Sequence, residues 1–392
     1  MQYRQFGQLD FKVSALGFGA MRLPTTDDKI DEAEATKMIR HAIDHGVNYV
    51  DTAYPYHEGT GEAFVGRALS NGYREKVKLA TKMPSWEVET ADDFDKYLNI
   101  QLERLQLDTI DFYLLHTLGK RHWPRLRDLG VIEWAEKAIA DGRFRHLGFS
   151  FHDDYDTFKQ IIDDYDWPMC QIQYNYMDVE NQAGTKGLQY AASKGVAVVI
   201  MEPILGGKLV GPPPPIQAIW DDAAKKRTPA DWALQWLWNQ PEVSLVLSGM
   251  SAMQHVEENV ASADVSGVGT LTADELALYD QVRAKYKDLI AIPCTSCRYC
   301  MPCPQGVDIP GNFGSYNEGV MFDKPEASRG HYAWLKFAYE EQGIFDHDLR
   351  AARCIQCGEC EAKCPQGIPI SEWMPVIHQA LGENGPYVTE LE

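Results

Sequence analysis

The chain has 392 residues, 45% of them hydrophobic and 24% charged, and carries a formal net charge of −20 at pH 7. That composition is typical of a soluble globular protein. So acidic a surface repels nucleic-acid phosphates and anionic lipid, so neither nucleic acid nor membrane is expected as a partner. No apolar run reaches the roughly 20 residues that a spanning helix needs. The opening MQYRQFGQLD is polar and has no signal-peptide core, so a cytoplasmic location is expected. In that reducing compartment clustered thiols point to metal or redox chemistry before disulfides.

In chain order, YRQFGQLDFKV reads as a small hairpin. Eight short runs rich in Val, Ile and Leu follow: 14–20, 47–51, 77–82, 110–116, 145–150, 169–175, 196–202 and 243–248. Near-continuous apolarity is the mark of strands buried on both faces. Helical stretches separate them. Ala35, Met38, Ile39, Ala42 and Ile43 keep helical spacing, with Gly46 as the stop. A second such stretch, Val131 to Asp141, ends at Gly142, and Thr228-Pro229 opens a third. Strands alternating with helices predict a parallel sheet. Eight units in about 250 residues predict an α/β fold of the (β/α)8 TIM-barrel type. An open doubly wound sheet would need a Gly-rich fingerprint after the first strand, and GFGAMRLP is not one. PPPP at 212–215 reads as a stiff extended rim loop after strand seven. One further helix follows Leu271. Composition changes at Pro293, so the domains are drawn as 1–290, the barrel, and 291–392, a small α-helical ferredoxin-like domain.

Eight of the nine cysteines lie in that tail. Cys354, Cys357, Cys360, Cys364 and Pro365 keep the C-x2-C-x2-C-x3-C-P spacing of a bacterial [4Fe–4S] site. Cys294, Cys297, Cys300, Cys303 and Pro304 repeat it with the last gap shortened by one residue. PQGVDIP and PQGIPI then follow the two runs. This pseudo-repeat predicts two [4Fe–4S] clusters, each taking its fourth cysteine from the other run. Zinc sites use separated ligand pairs and do not fit. Cys170, alone in a strand, reads as a core residue.

In a barrel, chemistry sits at the C-terminal strand ends. Those ends carry Asp51 and Tyr56 in DTAYPY, Lys82 in ATK and His116 in LLH. Each alone has a structural explanation. Together they form a proton-transfer group: an ammonium beside a phenol favours the phenolate and is expected to lower the Tyr pKa. Asp51 would hold Lys82, and His116 would bond a substrate oxygen.

D-T-A-x-x-Y, T-K and L-L-H in this order resemble the aldo-keto reductases over roughly residues 1–290. With the cysteine tail, the chain resembles the branch carrying a C-terminal ferredoxin-like domain. The resemblance implies Tyr56 rather than Tyr54 as general acid, tuned by Asp51 and Lys82, with His116 orienting the substrate. It also implies a nicotinamide cofactor, NADP or NAD, across the rim. Ser150 and Gln171 would hold its carboxamide. Gly206 and Gly207 would approach the pyrophosphate. Ser248, Gly249, Ser251, Glu258 and Asn259 would bind the adenosine end. Met201 stands where the family has a ring-stacking aromatic, Phe151 where it often has Asn, and Ser251 where it has the Arg that grips the 2′-phosphate. Lys208 is the nearest alternative cation, in another loop. His152 and Glu202 also end strands, as rim residues or substrate contacts.

The function implied is interconversion of a small-molecule carbonyl, aldehyde or ketone, and its alcohol by hydride transfer. The clusters then either exchange electrons, with ferredoxin or another carrier as partner, or serve as a scaffold. The alternative is an electron-transfer subunit whose barrel is a docking platform. KRHWPRLRD at 120–128 is expected to line the substrate mouth, its cations suiting an anionic or sugar-like substrate.

Overall fold

The computed structural model describes residues 1–391 and divides them into two compact units. The first comprises residues 1–206 and 230–273, the second residues 207–229 and 274–392. This division departs from a single cut near residue 290, and the departure has a local cause. Inside the second unit, Lys324 Nζ donates to the carbonyls of Gly207 and Val210, each at 2.6 Å. Lys208 pairs with Glu318 at 2.7 Å. Arg227, nearly buried, pairs with Glu275 at 2.5 Å, and Trp220 packs edge-on against Tyr279. The proline run is also more than a stiff loop. Pro213 is extended, but Pro214 opens the helix Pro214–Asp222. Proline is suited to that first turn because its missing N–H would have no helical partner there.

The first unit is a closed barrel of eight parallel strands, each hydrogen-bonded to its neighbours in chain order. They are Leu16–Gly19, Tyr49–Asp51, Lys78–Met83, Ile110–Leu118, Phe144–Phe151, Met169–Gln173, Ala197–Met201 and Val243–Gly249. All eight expected strands form, most with ends moved by a residue or two. Closure leaves no sheet edge, so both faces of every strand are buried. The helix Glu32–Asp44 buries Ala35, Met38, Ile39, Ala42 and Ile43, the periodic face of its sequence, and Asp31 caps it by accepting from the Glu34 amide.

Tyr3–Gln5 and Lys12–Ser14 pair as the antiparallel hairpin. It closes the N-terminal end of the barrel. Phe6 is fully buried and meets Phe112 edge-on at 5.3 Å; Phe112 also meets Phe11, Tyr49 and His146. With that end plugged by aromatic rings, the opposite rim is the end left for chemistry.

Residues 120–128 are not all loop. Trp123–Asp128 is a helix with Trp123 buried and its indole donating to Asp164. Lys120 pairs with Asp153 and Asp154, Arg125 donates to the Ser85 carbonyl, and Arg127 lies 3.7 Å from both Asp128 and Asp164. Three of the four cations are thus engaged by the protein itself.

Removing the Phe112 ring should leave a cavity in the plug. Phe112→Ala is expected to destabilise the barrel by about 3–5 kcal/mol, the usual range for a buried Phe truncation. Urea unfolding followed by tryptophan fluorescence measures it; a loss under about 1 kcal/mol would show that the plug collapses and refills.

Candidate active site and cluster ligands

Strands two, three and four lie side by side, and their register sets the site. Asp51 stands opposite Ala80, and Lys82 opposite Leu114. The C-terminal ends of these strands bring Asp51, Lys82 and His116 to one rim. The loop after Asp51 returns Tyr56 over Lys82.

Lys82 is fully buried. Its Nζ donates to Asp51 Oδ1 at 2.6 Å, to the Thr52 carbonyl at 2.8 Å and to Tyr56 Oη at 3.4 Å. An ammonium has three protons and no acceptor, so these partners account for all of them. Burial alone would pull the Lys82 pKa down. Asp51 and Tyr56 outweigh it and hold the ammonium above its ordinary range. For Tyr56 the balance runs opposite to the sequence expectation. Burial pushes the phenol pKa up and outweighs the lowering by Lys82, so Tyr56 keeps its proton above the ordinary value. His116 is pushed well below its ordinary value by burial and by Lys82, so the imidazole is neutral. Its ring meets Tyr56 edge-on at 6.2 Å, and its buried Nδ1 has no protein partner.

Tyr54 is turned elsewhere. Its ring lies 4.4 Å from the Arg104 guanidinium and edge-on to Tyr97, within the packing outside the barrel. Trp86, in the turn after strand three, was not singled out in the sequence. It is partly exposed and its ring lies 5.2 Å from His116, forming a wall beside the imidazole. A lone Trp in MPSWE carries no periodic signal by which it could be found.

Of the expected nucleotide positions, Ser150, Gln171, Met201, Ser248 and Gly249 lie at or near the C-terminal ends of barrel strands. Ser150 Oγ accepts from the Thr117 amide at 2.9 Å. Gln171 Nε2 reaches Met201 Sδ at 3.5 Å, and its buried Oε1 has no protein partner. A buried acceptor left unmet by protein fits a ligand donor such as a carboxamide N–H. Gly206 and Gly207 have φ of 63° and 90°, a left-handed region that only glycine enters cheaply. A side chain at Gly207 would meet nothing within 4 Å, so that backbone is open to approach. Ser248 Oγ accepts from Asn259 Nδ2 at 3.1 Å, and the Ser251 amide lies 3.4 Å from His255 Nδ1. Glu258 is exposed and bonds Gln254. Gly249 lies against the stem of Arg22. Phe151 is core: fully buried and edge-on to Phe158 at 5.0 Å. Burial lowers the pKa of His152, which bonds Gln182 and senses Glu202. Lys208 is committed to Glu318.

In the second unit no two of the eight tail cysteines are joined in a disulfide. The two runs fold alike. Ser296 and Gln356 have φ of 55° and 56°, and Arg298 and Gly358 have 62° and 75°. The Ser296 and Gln356 amides each lie 3.4 Å from the sulfur two residues back, Cys294 and Cys354. Each run then leads through a left-handed glycine, Gly306 or Gly367, into the helices Ile309–Met321 and Ile370–Gly382. Three non-glycine residues in αL conformation are strained positions that the surroundings must enforce. Their effect here is to turn sulfurs and amides inward. Among the described residues no three His, Cys, Asp or Glu side chains converge on a single-ion site. The thiols instead ring two voids. Cys294, Cys297, Cys300 and Cys364 line one; Cys300, Cys303, Cys354, Cys357 and Cys360 line the other. Voids edged by several soft thiols, with amide N–H groups beside the sulfurs, fit polynuclear iron–sulfur clusters.

Residues 15–284 match the aldo/keto reductase family, and residues 293–368 match a 4Fe-4S dicluster domain. The chain is 29% identical to L-galactose dehydrogenase of Arabidopsis thaliana, across 67% of this chain and 88% of that protein. It is 28% identical to the holo form of the aldo-keto reductase AKR11C1 from Bacillus halodurans, with a TM-score of 0.62, covering 72% of this chain and 96% of that one. An aldo-keto reductase from Klebsiella pneumoniae, solved in complex with NADPH, is 25% identical over 72% of this chain and 95% of its own, with a TM-score of 0.60. The chain therefore belongs to the aldo/keto reductase family, its family segment followed by a 4Fe-4S dicluster domain.

Proposed function

We propose that the barrel interconverts a carbonyl and its alcohol, with Tyr56 as the proton donor and acceptor. The observation that carries this is the hydrogen-bonded line from Asp51 through buried Lys82 to Tyr56, with neutral His116 beside it. The nicotinamide, when bound, supplies or accepts the hydride. Ser150 and Gln171 are assigned to its carboxamide, Met201 to the ring, Gly206 and Gly207 to the pyrophosphate, and Ser248, Gly249, Ser251, Glu258 and Asn259 to the adenosine end. In the reductive direction Tyr56 Oη gives its proton to the carbonyl oxygen as the carbon takes the hydride. Lys82 then stabilises the phenolate left behind. His116 orients the carbonyl oxygen from a ring that stays uncharged. Trp86 shields the reacting centre from water. In the oxidative direction, to which the relative named L-galactose dehydrogenase lends support, each of these steps reverses.

The tail is assigned two [4Fe–4S] clusters with exchanged fourth ligands. Cys294, Cys297 and Cys300 share one with Cys364; Cys354, Cys357 and Cys360 share the other with Cys303. Two observations support the exchange. Cys364 lines one void with Cys294, Cys297 and Cys300, while Cys303 lines the other with Cys354, Cys357 and Cys360. Such clusters supply one-electron exchange, so a ferredoxin or similar carrier is the partner proposed for this domain. The domain boundary proposed near residue 290 falls between the two matched segments, 15–284 and 293–368.

Tyr56→Phe keeps the ring and removes the proton. Carbonyl reduction should fall by about 10²-fold or more with nucleotide binding retained, the scale of a lost general acid. Tyr54→Phe should keep its activity; the reverse pattern would reassign the acid. Because Tyr56 holds its proton above the ordinary value of 10.0, reduction should show no alkaline loss from this group below about pH 10. A pH–rate profile with an alkaline break near pH 8, absent in Tyr56→Phe, would contradict that balance.

Anaerobic analysis should find about eight iron and eight sulfide per chain, as two cubanes require. Cys364→Ser should perturb the cluster of the first run and Cys303→Ser that of the second. Iron near four per chain would leave a single cluster.

A further inference from the structure

In barrels of this kind, phosphate sites are built from the loops after strands seven and eight. One cation of the first unit spans those loops, and it comes from neither. Arg22 lies in the short turn Ala20–Arg22 after strand one. Its stem runs along the end of strand eight: a Cβ on Gly249 would come within 3.3 Å of the Arg22 Cβ, Cγ and Cδ. Its guanidinium reaches the loop after strand seven, 3.5 Å from where a Cβ on Gly206 would stand. Glu202 comes to the same point from the other side, its Oε2 at 3.3 Å, and the two charges lie 3.9 Å apart.

Glu202 is held there. Its φ is 55°, an uncommon conformation for a residue with a side chain. Its carbonyl accepts from buried Asn175 Nδ2 at 3.2 Å and from the Leu205 amide at 3.0 Å. A carboxylate clamped by a strained backbone on a phosphate path opposes an anionic ligand. The pair with Arg22 is half exposed and too long for a hydrogen bond, so it is weakly held and readily exchanged.

We propose that Arg22 is the cation that grips the nucleotide pyrophosphate, and that Glu202 is its counter-ion in the nucleotide-free protein. Binding then swaps one anion for another at Arg22 and leaves Glu202 beside the phosphates without its partner. Glu202 thereby limits affinity for the dinucleotide. Both nicotinamide dinucleotides carry the bridging pyrophosphate, so this device acts on them equally. The inference rests on the nicotinamide-dependent reading of the barrel.

The test uses full-length, cluster-loaded protein and measures the Kd for NADH and NADPH by titration of nucleotide fluorescence. Arg22→Gln should weaken both nucleotides by about tenfold or more, the scale of a lost charge-assisted hydrogen bond. Its binding should also respond less to added salt. Arg22→Lys should recover part of the loss, since it keeps the charge without the fork. Glu202→Gln should tighten both nucleotides about two- to fivefold, the scale of a half-exposed ion pair. Circular dichroism and iron content must match the wild type. A loss in Arg22→Gln confined to NADPH would move Arg22 to the 2′-phosphate and overturn the assignment. So would unchanged or weaker binding in Glu202→Gln. If folded, cluster-loaded wild type binds neither nucleotide, the nicotinamide reading itself falls; if wild type binds and neither variant differs, the inference alone falls.

Discussion

The charge on Lys82 is the constraint around which the barrel's rim is organised. A fully buried ammonium is costly unless every proton is met, and removing one partner of a buried pair is strongly destabilising. Asp51 sits on the neighbouring strand at 2.6 Å and Thr52 supplies a carbonyl. The third proton is left to Tyr56, at the longer distance of 3.4 Å. The phenol is therefore the one partner of Lys82 placed to shift toward a substrate.

Behind this line lies a second buried network that keeps strand three still. Glu62, with no exposed surface, accepts from Thr81 Oγ1 at 2.6 Å and Gln101 Nε2 at 2.5 Å, and Arg104 reaches its other oxygen. Gln101 also donates to the Lys82 carbonyl at 3.0 Å and accepts from Tyr113. A polar network that is fully satisfied rigidifies the backbone it joins. Here it holds the peptide of Lys82, the residue whose side chain bonds the Tyr56 phenol.

The second unit solves a different problem with little apolar material. Its core is a small cluster around Ile309, Phe313, Tyr316, Trp373, Met374 and Ile377, with cysteines packed at its margin. Segment 207–229 joins this unit through Lys324, Lys208 and Arg227, so one insertion of the barrel sequence is stabilised by residues far along the chain.

The sequence by itself determined the features whose signal is local. Strand count and fold followed from apolar runs of strand length, because a closed parallel barrel buries both faces of each strand. The cysteine spacing specified iron–sulfur ligation, because three sulfurs two residues apart wrap one cluster. Asp51, Lys82 and His116 were legible because each ends a strand, and strand ends converge in a barrel. What depended on distance through space was decided by tertiary structure alone. Lys82 neighbours Tyr56, but how much solvent is excluded from the phenol is set by the whole rim, and that burial raises its pKa where the pairing alone would lower it. Three of the four cations of 120–128 looked available until packing brought them to Asp153, Asp154, Asp164 and the Ser85 carbonyl. The meeting of Arg22 with Glu202, 180 positions apart in the sequence, leaves no trace in spacing or periodicity. Barrel closure sets strand eight between strands seven and one, and no local pattern encodes which side chains then meet over its end.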